Sequence, residues 1–261
     1  MNNVPPRKNA DLPVRAAVGV ALIVLAAAAL YWGGFAFWLL ATVAGLLMVH
    51  EWAGLHAATP AQRKLSQYAL MVPLSIMAPI AAGPGFLALG LILGAGFFIA
   101  AVTRSSALGA GPVYVGLPVL ALLVLREQDQ GVLFTLWALA LVWACDIGAY
   151  FAGRSIGGPK LWAAVSPNKT WAGLGGGVVA SGVFAVVLMQ YGLPMMLAIA
   201  TPFLAVVAQG GDLYESWLKR RAGVKDSSNL LPGHGGVLDR LDGLVPVAPL
   251  AALLVLMMGV Q

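Results

Sequence analysis

Long apolar runs separated by short turns constrain this chain more than any other feature. They group into nine candidate helices, at 14–30, 34–50, 67–82, 84–102, 110–125, 131–152, 171–191, 194–216 and 243–260. A helix needs about 20 apolar residues to cross a bilayer; the third and fifth runs are short for that and read equally as tilted, broken or partly buried helices. Gly33-Gly34, Gly83-Pro84-Gly85, Gly111-Pro112, Gly131 and Gly192 to Pro194 mark the expected turns. Soluble domains carry charge on about a quarter of their residues, whereas here the share is 10%. A surface of this composition needs an apolar solvent. The runs do not alternate in the way a membrane β-barrel requires. The expected fold class is therefore an all-α polytopic membrane protein with about nine transmembrane helices.

Charge placement tests that count. With nine spans and a cytoplasmic N-terminus, the inside segments hold Arg7, Lys8, Arg15, Arg63, Lys64, Arg104, Arg154, Lys160, Lys169, Lys219, Arg220, Arg221, Lys225 and Arg240. Only Arg126 of the 15 basic residues falls outside, beside Glu127 and Asp129. Basic residues favour the cytoplasmic side of short loops, so this arrangement supports both the count and the orientation. Residues 16–30 follow basic residues as a signal sequence would, but further apolar runs come at once, and the segment reads as a retained first span. Cys145 is the single cysteine and reads as a small hydrophobe.

Carboxylates inside apolar helices are expensive and mark functional candidates. Asp146 lies near the end of the sixth run, and Asp212 and Glu215 near the end of the eighth. Asp212, Glu215, Ser216 and Lys219 follow an i, i+3, i+4, i+7 spacing and share one helix face. That stripe can bind a hard cation with a phosphate; taken alone, it reads equally well as a salt-bridge stripe with Glu215 and Lys219 paired. The next loop contains Lys225, Asp226, His234, Asp239, Arg240 and Asp242, with Pro232-Gly233 and Gly235-Gly236 around the histidine. Its flexible backbone can close around a phosphate and offer N–H donors. Asp212 and Asp239 bound one helix–loop–helix unit and are expected to face each other.

No zinc-type set is present; oxygen ligands point to Mg²⁺ or Mn²⁺. His50 and His56, flanking Glu51-Trp52, read as structural or interfacial. Upstream, Asp146 and Tyr150 share a face and Arg154 follows them. Ser166 or Asn168 is expected to cap the seventh helix, with Pro167 in its first turn and Lys169-Thr170 beside it. A helix start next to a lysine attracts phosphate, although P-loop spacing is missing.

These residues resemble those of the phosphatidate cytidylyltransferases, also called CDP-diacylglycerol synthases. The family pattern Ser-x-x-Lys-Arg, Lys-Asp, Pro-Gly-His-Gly-Gly, Asp-Arg-x-Asp matches SWLKRRAGVKDSSNLLPGHGGVLDRLD at 216–242. The resemblance extends to DIGAYFAGRSIG at 146–157 and SPNKTWAG at 166–173. The first five runs match only in being apolar. Asn168 and Ala172 depart from the lysine and glutamate common at those positions. The resemblance implies that CTP and phosphatidate give CDP-diacylglycerol and pyrophosphate. It implies bound Mg²⁺, with a second cation such as K⁺ or another Mg²⁺, and a homodimer.

The roles expected on this basis are as follows. Asp212 and Asp239 are the main metal ligands, with Asp146 and Glu215 as further candidates. Lys219, Lys225 and Arg240 bind phosphates, and Lys219 and Lys225 count with the two aspartates as catalytic. Ser166, Lys169, Thr170, Ser216, Arg154, Asp226 and His234 complete the substrate-binding set. Residues 1–125 are a membrane scaffold offering lipid access or a dimer contact. Residues 126–261 are the catalytic part, with cytoplasmic loops 153–170 and 217–242. The expected location is a bacterial inner membrane with the site facing the cytoplasm, among membrane lipids and without nucleic acid. Ser216 lacks a base for nucleophilic attack. A transporter should show broken helices near the midplane and usually an internal repeat; no repeat is visible. A lipid-alcohol transferase needs an aspartate-rich helix that is missing here, and a CTP-dependent polyprenol kinase would release CDP rather than pyrophosphate.

Overall fold

The computed structural model describes residues 12–231 and 233–259, with side chains described from residue 16. Arg7, Lys8, Pro232 and the side chain of Arg15 lie outside the described residues. The described residues form α1 (Leu12–Trp32), α2 (Gly34–Leu55), α3 (Pro60–Ile76), α4 (Phe86–Thr103), α5 (Ser106–Glu127), α6 (Gly131–Ser155), β1 (Lys160–Trp162), β2 (Ser166–Thr170), α7 (Trp171–Met189), α8 (Met195–Arg221), α9 (Leu238–Leu241) and α10 (Leu244–Met257). Six helices, α2 and α4 to α8, are long and apolar enough to cross a membrane; α1 contributes a shorter apolar stretch and α10 is itself short. The all-α polytopic fold class holds.

Boundaries moved where capping overrode hydropathy. The third helix was expected at 67–82 and runs Pro60–Ile76 instead. Thr59 Oγ1 accepts from the Gln62 N–H at 3.3 Å, and Gln62 Oε1 accepts from the Thr59 N–H at 2.9 Å. With Pro60 in the first turn, this capping box starts the helix in a polar segment that an apolar-run reading skips. The turn expected at Gly111-Pro112 is absent, because α5 runs through Pro112 and Pro118. The chain breaks instead at Arg104, whose φ is 52°, and Ser105 Oγ caps α5 at the Leu108 N–H. Internal proline is tolerated where neighbouring helices enclose the freed carbonyls.

The loop after α6 carries an unexpected antiparallel hairpin, with Lys160 paired to Thr170 and Trp162 to Ser166. Ser166 and Asn168 therefore lie in a strand and do not cap α7. Thr170 does, its Oγ1 accepting from the Gly173 N–H at 3.0 Å.

Consecutive helices alternate in direction, so their connections collect at two ends. At one end Arg126 donates to the Leu30 and Tyr31 carbonyls at 2.8 and 3.2 Å. At the other, Trp52 Nε1 donates to the Ala107 carbonyl at 2.9 Å, and the hairpin and the 222–243 segment join there. α6 and α7 approach very closely: a Cβ added to Gly176 would stand 2.2 Å from Ala152 Cβ. Small residues permit such close packing in lipid. Residues on both sides of position 125 share apolar clusters; Leu218, Leu238 and Val245 pack in the group containing Trp52 and Leu70.

Candidate active site

The polar residues singled out in the sequence gather at the hairpin end of the bundle in two adjoining groups. The first joins three separate stretches of chain. Lys169 of β2 forms an ion pair with Asp212 of α8 and donates to Gln209 Oε1 at 3.1 Å. Gln209 Nε2 in turn donates to Asp146 Oδ1 of α6 at 3.1 Å. Ser216 Oγ donates to Asp212 Oδ1 at 3.3 Å, one helical turn away. Asp146 and Asp212 are close enough to repel each other. The hairpin makes this meeting possible, because it brings Lys169 back to α8 at Asp212 and Gln209.

The second group surrounds Asp239. Lys219 Nζ lies 2.7 Å from Asp239 Oδ1 and 3.2 Å from Glu215 Oε1. Glu215 is fully buried; among the described residues its close partner is that ammonium, in a charge contact without hydrogen-bond direction. The Glu215–Lys219 pair that the helical spacing allowed is thus present, but Asp239 shares the lysine. Asp239 also accepts from the Ser227 N–H at 2.9 Å, Ser227 Oγ at 3.0 Å and the Gly236 N–H at 2.8 Å, all on Oδ2. Burial alone would raise the Asp239 carboxyl; the Lys219, Gly236 and Ser227 hydrogen bonds prevail and hold it below the ordinary carboxylate value.

Asp242 lies between the groups. Burial first, and then repulsion from Asp212, pushes its carboxyl up to about 7, against the opposing pull of the Gly243 N–H and Lys219. The Gly243 N–H donates to its Oδ1 at 2.8 Å.

The other expected residues stand around this centre. Lys225 and Asp226 are exposed at the start of the loop. Arg240 Nε donates to the His234 carbonyl at 2.9 Å, closing the loop on itself. His234 faces α1, where a Cβ on Gly19 would lie 3.3 Å from its Nε2. Ser166 is half-buried in the hairpin, and Thr170 is buried by its capping role. Arg154 donates to Tyr150 Oη at 2.8 Å at the exposed end of α6. His56 packs against Trp52 with ring centroids 4.6 Å apart and the planes tilted by 33°.

Two residues of the site were missed in the sequence. Gln209 links the hairpin, α6 and α8, but an uncharged amide in an apolar run gives little signal. Glu51 reaches the signature loop from α2. Its Oε1 accepts from Ser228 Oγ at 2.6 Å and the Val237 N–H at 3.0 Å. Its Oε2 accepts from the Leu238 N–H at 2.7 Å and Ser227 Oγ at 3.3 Å. A carboxylate in an apolar helix is the signal the sequence offers for it.

The donor chemistry fits magnesium in type and charge. Asp212 and Asp239, the two main expected ligands, each face a lysine ammonium, so the site already stabilises positive charge at both places. Among the described residues, no three acidic, histidine or cysteine side chains converge at ligand spacing. The oxygens of Asp239 are also occupied by donors. Asp212, with Asp146 and Asp242 nearby, is the more open carboxylate for a cation.

Comparison with known proteins gives the family of the chain. Residues 13–258 match the family described as "Cytidylyltransferase family". A protein of Brucella suis biovar 1 (strain 1330) named phosphatidate cytidylyltransferase is 42% identical over 231 residues, covering 84% of this chain and 83% of its own. The phosphatidate cytidylyltransferase of Bacillus subtilis (strain 168) is 44% identical over 142 residues, covering 52% of this chain and 53% of its own. That of Staphylococcus saprophyticus subsp. saprophyticus is 42% identical over 147 residues, 55% of this chain and 56% of its own. With six membrane-length helices and a family match over almost its whole length, the chain is an integral membrane protein that belongs to the cytidylyltransferase family.

Proposed function

We propose that this chain transfers the cytidylyl group of CTP to phosphatidate, giving CDP-diacylglycerol and pyrophosphate. The observation that carries the reading is Lys169 meeting Asp212 and Gln209 while Gln209 meets Asp146, which joins three separate stretches of chain into one polar site at one end of an apolar bundle. Phosphatidate keeps its acyl chains in the leaflet and its phosphate at headgroup level, while CTP arrives from water. A site at the membrane edge can meet both. The basic residues around it match the sign of both substrates and would steer them at low salt.

The chemistry follows from charge. A phosphatidate oxygen attacks the α-phosphorus of CTP in line; the new O–P bond forms as the bond to the bridging α,β oxygen breaks, and pyrophosphate leaves with that electron pair. The lipid phosphate is already a nucleophile at neutral pH, so no protein nucleophile is required. Asp212 with Asp146, and Asp239 by exchange of its lysine, would hold Mg²⁺, with K⁺ or another Mg²⁺ as the second cation. When bound, the metal would shield the two phosphates from each other and polarise the oxygens at phosphorus. Lys169 orients a phosphate from the hairpin side. Lys225, His234 and Arg240 line the loop that encloses the leaving pyrophosphate, with Lys219 freed toward it by the exchange. Ser166, Thr170, Ser216, Arg154 and Asp226 lie around this path. The bundle would sit as a homodimer in a bacterial inner membrane, with this end in the cytoplasm.

The test is the purified protein with phosphatidate, Mg²⁺ and CTP labelled at the α- or γ-phosphate. The reading expects α-label in the lipid and γ-label in pyrophosphate. Label from the γ-position in the lipid would identify a kinase instead, and solute flux in liposomes without CTP would identify a transporter.

A further inference from the structure

The loop that follows α8 has few ways to hold its own shape. Most of its described residues are exposed or half-buried, and among them regular structure is limited to a Leu231–Gly235 bridge and the four-residue α9. Two carboxylates supply the rest from either side. Asp239 holds Ser227 and Gly236 from within the loop. Glu51 holds Ser227, Ser228, Val237 and Leu238 from a helix 176 to 187 positions earlier in the chain.

Glu51 is built into this place. It is 1% exposed and sits one residue before Trp52, which is 2% exposed and anchored to the Ala107 carbonyl. The loop backbone comes so near that a Cβ on Gly236 would stand 2.6 Å from Glu51 Oε1 and 2.1 Å from Ser227 Oγ. Each Glu51 oxygen accepts one backbone N–H; Oε1 also accepts the Ser228 hydroxyl, and Oε2 shares the single Ser227 hydroxyl proton with Asp239 Oδ2. Val237 and Leu238 are the cap and first residue of α9, whose opening N–H groups have no partner within so short a helix. A side chain with four acceptor sites on two oxygens suits this task, and an amide does not.

We propose that Glu51 is a positioning residue: from the scaffold helix α2 it clamps the 227–238 loop and so fixes the shape in which the loop receives phosphate groups. This deepens the reading of the site as a cytidylyltransferase and rests on it for the nature of the ligand, while the clamp itself stands on geometry alone. Glu51 touches no substrate in this scheme and acts through the loop.

Glu51→Gln separates clamping from bulk. Whichever way the amide is turned, its NH₂ faces one of the two backbone N–H groups. A hydroxyl can rotate to accept, but a backbone N–H cannot. The amides of Ser227, Gly236, Val237 and Leu238 should then exchange hydrogen about 10- to 100-fold faster, with α4 to α7 unchanged. In the full-length protein in detergent, kcat/KM for CTP should fall by a similar factor, with the thermal midpoint little moved. Wild-type exchange in the loop of E51Q overturns the clamp, as does faster exchange spread evenly over all helices. If E51Q does not fold, Ser228→Ala removes the 2.6 Å contact while leaving the buried carboxylate in place. Ser228 Oγ also accepts the Leu230 N–H at 3.2 Å, so the readout is at the Glu51-bound amides: faster exchange at Val237 and Leu238 in S228A supports the clamp, and exchange unchanged there overturns it. Failure of the wild-type protein to make CDP-lipid would remove the functional reading and leave the exchange result to decide the clamp.

Discussion

Replacing Gln209 by leucine tests the convergence of motifs at the site. The residue is 4% exposed, and its amide accepts from Lys169 Nζ and donates to Asp146 Oδ1, each at 3.1 Å. Leucine fills similar volume and provides neither bond. Each hydrogen bond to a charged group contributes about 1.5–3 kcal/mol. Lys169 keeps Asp212, and Asp146 is exposed and regains water. The loss should therefore sit near that of a single bond, about 1.5–3 kcal/mol, or about 10- to 150-fold in the population with Lys169 correctly placed. Gln209→Glu makes a useful contrast. At an effective dielectric near 20, a carboxylate oxygen 3.1 Å from Asp146 is repelled by about 5 kcal/mol and gains about as much at Lys169. The local terms cancel, and one extra negative charge remains beside Asp212. Q209L should thus lower kcat/KM for both substrates about 10- to 100-fold, while Q209E should raise KM for CTP further and be relieved by salt. The assay is labelled cytidylyl transfer in detergent micelles, with thermal midpoints as the folding control. Q209L within twofold of wild type for both substrates would refute the bridging role.

Asp212→Asn should reduce turnover by about 100-fold or more, since charge stabilisation at phosphorus is worth several kcal/mol, with membrane expression intact; normal transfer at limiting Mg²⁺ would remove Asp212 from the metal site. Asp242 should give stability a pH slope. Its folded value of about 7 lies above the ordinary 3.8, so between those limits the folded protein keeps a proton that the unfolded chain releases, and stability falls as pH rises from about 4 to about 7. Asp242→Asn should flatten that part of the curve, read as thermal midpoint against pH; an unchanged slope would assign it elsewhere. Gly176→Val should push α6 from α7, because even a Cβ there meets Ala152 Cβ at 2.2 Å; overpacking of this kind costs about 1–3 kcal/mol, and a wild-type melting curve would contradict the close approach.

Much of the architecture was legible because lipid leaves a chain few choices. A backbone in hydrocarbon must satisfy its own hydrogen bonds, so apolar length predicts helices, and α2, α4, α6, α7 and α8 fall close to their expected places. The differences arise where polar contacts or the packing of neighbouring helices override the local pattern. The Thr59–Gln62 box began α3 early, enclosing neighbours carried α5 through Pro112, and a hairpin took Ser166 and Asn168 away from the α7 cap.

By itself the sequence determined the helical membrane class, the signature loop and the set of charged residues, because each depends on local composition or spacing. Tertiary structure alone decided which of those charges meet. Lys219 could pair with Glu215 by helical spacing, but its contact with Asp239 required the loop to return across α8. Glu51 could be seen as an expensive carboxylate, yet its four donors lie more than 170 positions away. The physical reason is that desolvating a charge sets the need for partners, while only the packing of distant helices supplies them.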